Sequence, residues 1–218
     1  MRKQILFVGA GFAGMWAALS AARLADKHQQ AIDITVIAPQ PELRVRPRFY
    51  ESAVHTLVEP LQPLFDVTGV NFLQGHVEQI LPDSKEVSWK DANGDTHLRR
   101  YDRLVLASGS HVNRDTVTGA AEHAFDLDQL ESAAVLEQHI RLREILGADA
   151  KTRVVVVERG AQPGGRWSQE LRDVIIEASA ELGVEWLVNA EVESVDACGV
   201  TLKDGQVISS QTVIWTVG

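Results

Sequence analysis

The chain has 218 residues, of which 45% are hydrophobic and 23% charged, which allows one large or two small domains with a packed core. Its net charge of −9 argues against nucleic acid as a partner, because nucleic acid needs a basic surface. The single cysteine, Cys198, excludes an internal disulfide and a thiolate-rich zinc site and is typical of a reducing compartment. No apolar run approaches the ~18 residues of a transmembrane helix. Met1 is followed almost at once by an apolar segment, so we expect a cytoplasmic protein without a signal peptide.

The first apolar run, residues 5–8, leads into a glycine-rich turn and then into a helix predicted over residues 15–25. The turn has the spacing G-x-G-x-x-G and consists of Gly9, Ala10, Gly11, Phe12, Ala13 and Gly14. Gly9 permits a tight turn, Gly11 lets the backbone approach a pyrophosphate, and Gly14 lets the helix pack close to the strand. Because the helix N-terminus also attracts phosphate, this stretch predicts a nucleotide site; the alternative is a glycine-rich turn in an ordinary α/β core.

The second predicted strand, residues 33–38, ends at Ala38 and Pro39. In the usual dinucleotide fold this strand ends in an acidic residue that binds the adenosine ribose. Glu42 lies nearby, but nothing in the sequence places it on a ribose. Either backbone groups and a loop side chain hold the ribose here, or its affinity is weaker.

Three arginines then follow within five residues, Arg44, Arg46 and Arg48, beside the aromatic pair Phe49 and Tyr50. One interpretation is a loop over the pyrophosphate and flavin ring, with Arg46 and Arg48 paired to phosphate or carboxylate. The other is a solvated loop whose arginines pair with nearby acidic side chains.

The rest of the first half predicts a short helix over residues 60–65 and a β-meander from residue 69 to 99 with an Asn93-Gly94 hairpin turn. The meander leads to an apolar strand that ends in Ala107, Ser108 and Gly109. Small residues at the carboxyl end of a strand let a ligand approach the backbone.

The second half predicts a helix over residues 126–146, an apolar strand over 153–157, a helix over 168–182 and a closing meander. The apolar side chains of the helix over 168–182 share one face: Leu171, Val174, Ile175, Ala178 and Leu182. The seven histidines show no ligand spacing, so we predict no metal site.

The two halves also resemble each other. Residues 69–73 match 183–187, residues 77–80 match 192–195, and the strand at 104–109 matches 213–218. The second half lacks a G-x-G-x-x-G and one strand–helix crossover. Its Glu158, at a strand end, suits a ribose-binding acid, whereas Gly164 and Gly165 are interpreted as a loop. We therefore predict an α/β chain of two successive Rossmann-like dinucleotide-binding units with β-meander insertions, the second incomplete, divided into residues 1–118 and 119–218.

Together these motifs resemble the FAD/NAD(P)-dependent pyridine nucleotide–disulfide oxidoreductase-like flavoproteins, in particular the type II NADH dehydrogenase-like branch. The glycine turn is similar to the family's FAD pyrophosphate motif, and residues 46–51 are similar to its Arg-Pro-Arg-Leu-Tyr-Glu loop. Val77 stands where family members contact the adenine through the backbone. Residues 107–109 resemble the family's Ala-Thr-Gly motif, and residues 216–218 its second copy.

The resemblance implies an FAD-binding first domain, a partial NAD(P)H-binding second domain, and hydride transfer from NAD(P)H through the flavin to a small-molecule acceptor such as a quinone. It allows a homodimer and peripheral attachment to a membrane. The missing second glycine motif supports a different class of function, a remnant nucleotide-binding module without efficient hydride transfer. A sulfide-oxidising activity would need a pair of reactive cysteines, which this sequence lacks.

Overall fold

A computed structural model describes residues 2–145, 152–165 and 167–216. The chain forms two compact units, Met1–Ser110 and His111–Gly218. None of the helices within the described residues is long and apolar enough to cross a membrane.

The first unit is built on a six-stranded sheet with the strand order β7-β6-β5-β2-β1-β8. Four neighbouring strands, β5, β2, β1 and β8, are parallel, and β6 and β7 continue from β5 as an antiparallel meander. The elements in chain order are β1 (Lys3–Val8), α1 (Phe12–Lys27), β2 (Ile32–Ala38), β3 (Glu42–Arg44), β4 (Val58–Pro60), α2 (Gln62–Thr68), β5 (Asn71–Leu81), β6 (Glu86–Asp91), β7 (Thr96–Arg100) and β8 (Arg103–Leu106).

Alternating strand residues place apolar side chains on both faces of this sheet, as expected for parallel strands that are covered on both sides. On one face Phe7 and Val36 pack with Met15 and Ala18 of α1 and with Phe65 of α2. On the other face a second cluster joins the central strands to the meander: Leu6, Ile37, Val87 and Trp89. The sheet is therefore fixed on both faces, which positions the carboxyl ends of its parallel strands.

The second unit contains smaller sheets. A parallel pair, β9 (Val154–Val157) and β10 (Val184–Leu187), is joined by helix α5 (Gln169–Glu181). An antiparallel three-stranded sheet follows, with β11 (Val192–Asp196), β12 (Gly199–Leu202) and β13 (Val207–Ser209) in that order. The short helix α3 (Ala120–His123) and the longer α4 (Leu130–Ile145) precede these strands.

The α/β fold class is confirmed, and the two units repeat one pattern. In the first, β2–α2–β5 is a parallel pair joined by a helix and followed by an antiparallel meander; in the second, β9–α5–β10 has the same arrangement. The second unit has no strand in the position of β1 among the described residues. Its β9 therefore corresponds to the second strand of the fold.

Two predicted elements differ in the structure. Helix α4 begins at Leu130, because residues 126–129 form a turn in which Asp126 Oδ1 accepts from the Asp128 N–H at 3.0 Å; Leu146 lies outside the described residues. The predicted strand at 213–218 is reduced to one bridge between Ile214 and Phe125, with residues 217–218 outside the described part.

The apolar face predicted for α5 is largely exposed to solvent. Leu171, Val174 and Leu182 are 48%, 62% and 81% exposed, and the buried residue of this helix is Arg172. The helix is amphipathic as predicted, but much of its apolar stripe faces solvent.

Candidate dinucleotide site

The glycine turn lies at the carboxyl edge of the parallel strands in the first unit. The Gly9 N–H donates to the Ile37 carbonyl at 2.9 Å, and the Ala107 N–H donates to the Val8 carbonyl at 2.8 Å. These bonds bring the ends of β1, β2 and β8 together, so Gly9 lies between Ala38 and Ala107 on one sheet edge. Ligands bind at this edge in open α/β sheets, where the strand order reverses.

Two of the three glycines are required by the protein itself. Gly9 has φ +105°, and a Cβ there would collide with the Ala107 carbonyl. A Cβ on Gly14 would collide with the carbonyl oxygen of Gly9. The structure therefore contains the close contacts that each role requires: the tight turn at Gly9 and the close helix–strand packing at Gly14.

Gly11 is different, because its backbone is in an ordinary extended conformation with φ −66° and ψ −175°. A Cβ built on it has no protein atom within 4 Å. The fold does not need glycine here, so the open space beyond Gly11 is where an external group would have to approach.

The N-terminus of α1 faces this opening without a side-chain cap. Gly11 is the N-cap, its carbonyl accepts from the Met15 N–H at 2.9 Å, and the first turn carries no acidic residue. Phe12 and Ala13 are exposed here, Phe12 to 44%. N–H groups of a first helical turn have no partner within the helix and carry partial positive charge, which favours an anion.

The arginine segment forms a 3₁₀ turn, Arg46–Arg48, rather than an irregular loop. Phe49, 2% exposed, anchors it, and the β3–β4 hairpin closes its base. The Nη1 atom of Arg46 lies 3.3 Å from the position of a Cβ on Gly109, so this guanidinium reaches the segment after β8. Ser108 and Gly109 are exposed there, and Gly109 has φ +73°.

Arg48 has a different environment. Its Nε and Nη2 atoms donate to the two carboxylate oxygens of Glu51 at 2.7 and 2.6 Å. This bidentate pair raises the pKa of Arg48 and lowers the pKa of Glu51, in both cases mainly through the hydrogen bond. Arg44 likewise donates to Glu42 at 2.8 Å. The alternative interpretation, pairing with nearby acids, therefore describes Arg44 and Arg48. The Arg46 guanidinium also adjoins the strand-end segment.

Two further predicted residues lie on strands of this sheet. Ala38 is buried at the end of β2 and is followed by the half-buried Pro39. Val77 is opposite Trp89 next to a β-bulge, where the register shifts between Val77 and Gln79. A bulge leaves backbone groups of the extra residue, Glu78, outside the regular ladder. The strand next to Val77 therefore has backbone groups outside the ladder that a ligand can contact.

Glu158 lies at the end of β9, as the sequence indicates. Its Oε1 accepts from the Gly160 N–H at 2.7 Å, and its N–H donates to the Leu187 carbonyl at 2.9 Å. The carboxylate therefore caps its own loop. Next to this strand end, the pKa of Glu191 is lowered. The main cause is the hydrogen bond with Lys203 at 2.6 Å, and the charge of Arg159 adds to it.

The loop from Glu158 to α5 is organised by a residue that the sequence did not single out. The guanidinium of Arg172, 8% exposed, donates to the carbonyls of Pro163 and Trp167 and to Gln169 Oε1, each at 3.1 Å. Gly164 has φ +55°, and a Cβ there would collide with the Trp167 ring. Packing against the Trp167 ring therefore explains why residue 164 is a glycine, and the position lies in a loop, as the sequence indicates.

No group of three or more His, Cys, Asp or Glu side chains in the described residues is placed to hold a metal ion. The parallel sheet, the glycine turn at its carboxyl edge and the partial second unit together define a Rossmann-like α/β protein. The chain belongs to the pyridine nucleotide–disulphide oxidoreductase family, whose model matches residues 3–218.

Named relatives agree with this family. The chain is 30% identical over 253 residues to an NADH dehydrogenase-like protein of Mycobacterium tuberculosis, covering 99% of this chain and 62% of the relative. It is 26% identical to demethylphylloquinone reductase of Synechocystis, covering 100% of this chain and 62% of that protein. Since 253 aligned positions exceed 218 residues, the M. tuberculosis relative has residues within the matched region that have no counterpart here.

A solved structure shows the same fold. NDH2 from Plasmodium falciparum in complex with NADH has a TM-score of 0.82 at 15% identity, covering 100% of this chain and 55% of that one. The chain thus spans less than two thirds of the length of these relatives.

Proposed function

We propose that the first unit binds FAD, with the pyrophosphate on the glycine turn from Gly9 to Gly14. The observation that carries this proposal is the contrast between the glycines. Cβ atoms on Gly9 and Gly14 would strike the protein, whereas a Cβ on Gly11 would extend into open space in front of an uncapped helix N-terminus. A site for pyrophosphate needs that space and those N–H groups.

The remaining contacts of the proposed site surround this turn. Phe12 and Ala13 supply N–H groups of the first helical turn, and Ala38, Pro39 and Val77 supply backbone for the adenosine part. Arg46 supplies positive charge beside Ala107, Ser108 and Gly109, and Arg48 adds charge from the same 3₁₀ turn. An acidic residue at the end of β2 is absent, so the ribose is held through backbone groups or a loop side chain.

We further propose that the chain contributes to an oxidoreductase that accepts hydride from NAD(P)H and passes electrons to a quinone or another small acceptor. When bound, FAD supplies the redox chemistry, and the protein positions it and sets its electrostatic environment. The printed names of the relatives, an NADH dehydrogenase-like protein and a quinone reductase, support this class. We place FAD on residues 1–118 and NAD(P)H on residues 119–218, with Glu158 as a ribose contact, in a cytoplasmic protein that attaches peripherally to a membrane.

A second candidate is a nucleotide-binding module without efficient hydride transfer. Among the described residues between 152 and 187 there is a single parallel strand pair, and Glu158 Oε1 accepts a hydrogen bond from the Gly160 N–H. A ribose contact without a glycine turn for the pyrophosphate gives little affinity for NAD(P)H.

The two candidates are tested on the purified 218-residue chain. FAD is added, the unbound fraction is removed by gel filtration, and retained flavin is quantified from visible absorption against protein. Stoichiometric retention supports FAD binding, and its absence at saturating FAD contradicts both candidates. Flavin reduction by added NADH then separates the enzyme from the binding module.

A further inference from the structure

The first unit contains a cavity whose lining includes none of the residues assigned to FAD. Its volume is about 430 Å³, within the roughly 300–1,000 Å³ that is usual for small-ligand sites. Residues of β2, α2, β5 and β7 line it, and several of their side chains can form hydrogen bonds: Thr35, Gln62, Asp66, Asn71 and Arg99. Charge and hydrogen bonding therefore decide what this cavity can hold.

The inner part of the cavity is formed by Thr35 and Arg99. Thr35 is 3% exposed and lies on the same face of β2 as Ile37, which belongs to the apolar cluster shared with the meander. Arg99 is half-buried on β7, and its Nη2 atom donates to Thr35 Oγ1 at 3.2 Å. The packing of the meander on the parallel strands thus brings a guanidinium to a buried hydroxyl.

These two side chains keep unused donors. A guanidinium has several N–H groups, and the bond to Thr35 uses one of them. Among the described residues Arg99 has no ion pair with a carboxylate, and the Thr35 hydroxyl has no acceptor for its own O–H. A partly buried positive charge is unfavourable without a counter-ion. The inner part of the cavity is therefore suited to a negatively charged group such as a carboxylate.

The outer part of the cavity carries the opposite charge. Gln62 and Asp66 are exposed on consecutive turns of α2, and Gln62 Nε2 donates to Asp66 Oδ1 at 2.7 Å. In the described part of the chain, Asp66 Oδ2 has no partner. Asn71 Nδ2 donates to the Ile34 carbonyl at 3.3 Å, which leaves its Oδ1 as an acceptor. The rim is therefore suited to a positively charged donor such as an ammonium group.

Arg99 and Asp66 thus line one cavity without forming an ion pair with each other. We propose that this cavity binds the zwitterion of a free amino acid, with the ligand carboxylate on Arg99 and Thr35 and the ligand ammonium on Asp66. A simple anion would meet the Asp66 carboxylate, and a simple cation would meet the Arg99 guanidinium. The acceptor on Asn71 favours a short side chain that donates a hydrogen bond, as in asparagine.

The experiment is an NMR titration of the ¹⁵N-labelled 218-residue chain with L-asparagine to ~10 mM, which covers the weak affinity of a small ligand. The chain is free of FAD, so the result does not depend on FAD binding. Two analogues each remove one charge: N-acetyl-L-asparagine lacks the ammonium, and L-asparagine amide lacks the carboxylate. We expect L-asparagine to shift the signals of Asn71 and of the Arg99 Nε–H, and each analogue to bind at least about tenfold more weakly.

Three variants connect each charge of the ligand to one side chain. Arg99→Gln should weaken L-asparagine by about tenfold or more and leave the weak binding of the amide unchanged, because the amide has no carboxylate to lose. Asp66→Asn should weaken L-asparagine similarly and leave the N-acetyl form unchanged. Arg100→Gln is the matched control. It removes the same charge from the next position of β7, whose side chain lies on the opposite face of the strand. Circular dichroism checks the fold of each variant.

Several outcomes overturn the proposal. The first is a wild-type chain in which L-asparagine shifts no signal of the cavity residues. The second is N-acetyl-L-asparagine binding as tightly as L-asparagine, since the site would then hold a simple anion. The third is an equal effect of Arg99→Gln and Arg100→Gln, because the dependence would then reflect net charge alone. The comparison of the analogues on the wild-type chain needs no variant, so it decides the matter even where a variant fails to fold.

Discussion

The guanidinium of Arg46 reaches across to Gly109, with Nη1 3.3 Å from the position of a Cβ on that glycine. The two residues are 63 positions apart in the chain, and the 3₁₀ turn and the segment after β8 bring them together. Because Gly109 has no side chain, the arginine can approach the strand-end backbone. This places a positive charge at the carboxyl edge of the sheet in a protein of net charge −9.

We therefore expect Arg46→Ala to weaken FAD binding by about tenfold or more, the equivalent of one charge-assisted hydrogen bond of roughly 1.5–3 kcal/mol. Arg48→Ala should weaken it less, because it is the Arg46 guanidinium that adjoins Gly109 at the strand-end segment, whereas Arg48 pairs with Glu51 in its own turn. Titration of each variant with FAD, followed by flavin fluorescence, measures both effects. Arg44→Ala is the matched control within the same segment. A larger loss for Arg48→Ala than for Arg46→Ala would show that Arg48 exchanges Glu51 for the ligand.

Gly11→Val should abolish FAD uptake and leave the fold nearly unchanged. The new side chain enters open space, so the free energy of unfolding should fall by at most about 1 kcal/mol, through a poorer N-cap. Flavin stoichiometry and urea unfolding measure the two effects separately. Gly165→Val, another glycine with open space around its Cβ position, is the control that should keep FAD. Unchanged flavin content in Gly11→Val would refute the proposed position of the pyrophosphate.

Gly14→Ala should show the opposite behaviour. Its Cβ would collide with the Gly9 carbonyl, a backbone atom that cannot rotate away, so the chain should lose stability by about 1–3 kcal/mol even without FAD. Urea unfolding of the flavin-free protein is the measurement. If Gly14→Ala unfolds at the wild-type midpoint, the close packing of α1 on β1 does not contribute as the structure indicates.

The Arg48–Glu51 pair should make a small, pH-dependent contribution to stability. Hydrogen bonding to Arg48 lowers the pKa of Glu51 in the folded chain below its unfolded value of about 4.3. The contribution is therefore complete above the unfolded pKa and is lost as the pH falls through the lower, folded pKa. Thermal unfolding of wild type and Glu51→Gln from pH 7 down to pH 3 should show a difference in midpoint that disappears in acid. Glu59→Gln, at an exposed position on β4, should show no such trend.

NADH should reduce FAD bound to this chain slowly, below the ~10 s⁻¹ that is typical of enzyme turnover. Positioning two reactants contributes about 7–11 kcal/mol to such a step, and NADH lacks a glycine turn for its pyrophosphate in residues 152–187. Stopped-flow absorbance of the FAD-loaded chain measures the rate, with dithionite as the control that the flavin can be reduced. Reduction at tens per second would show that the second unit holds NADH by other contacts.

Much of the first unit could be predicted from the sequence, because its signals are local. The apolar run before Gly9, the helix after Gly14 and the Asn93-Gly94 hairpin each specify backbone conformation within a few residues. The glycine roles followed from the same motif. The contact of Arg46 with Gly109 could not be predicted, since it depends on how a 3₁₀ turn packs through Phe49 against distant residues.

The second unit was harder for a related reason. The apolar stripe of α5 indicates an amphipathic helix, but periodicity does not show whether a neighbour is present to cover it. Arg172 was missed because an arginine on a helix is normally exposed, and its burial depends on three acceptors brought together by the loop before α5. The match of residues 213–218 to the strand at 104–109 did not show how short the pairing is, since in the described part Ile214 bridges to Phe125 alone.

The correspondence of β9–α5–β10 to β2–α2–β5 bears on how such a chain can become shorter than its relatives. All strands of a parallel sheet run in the same direction, and each helix returns the chain to the starting end. Loss of one strand together with one helix therefore delivers the chain to the next strand at the correct end and in the correct direction. Loss of a strand alone would reverse every element that follows. A strand–helix pair is thus the smallest piece that evolution can remove from this architecture while the remaining segments keep their original path.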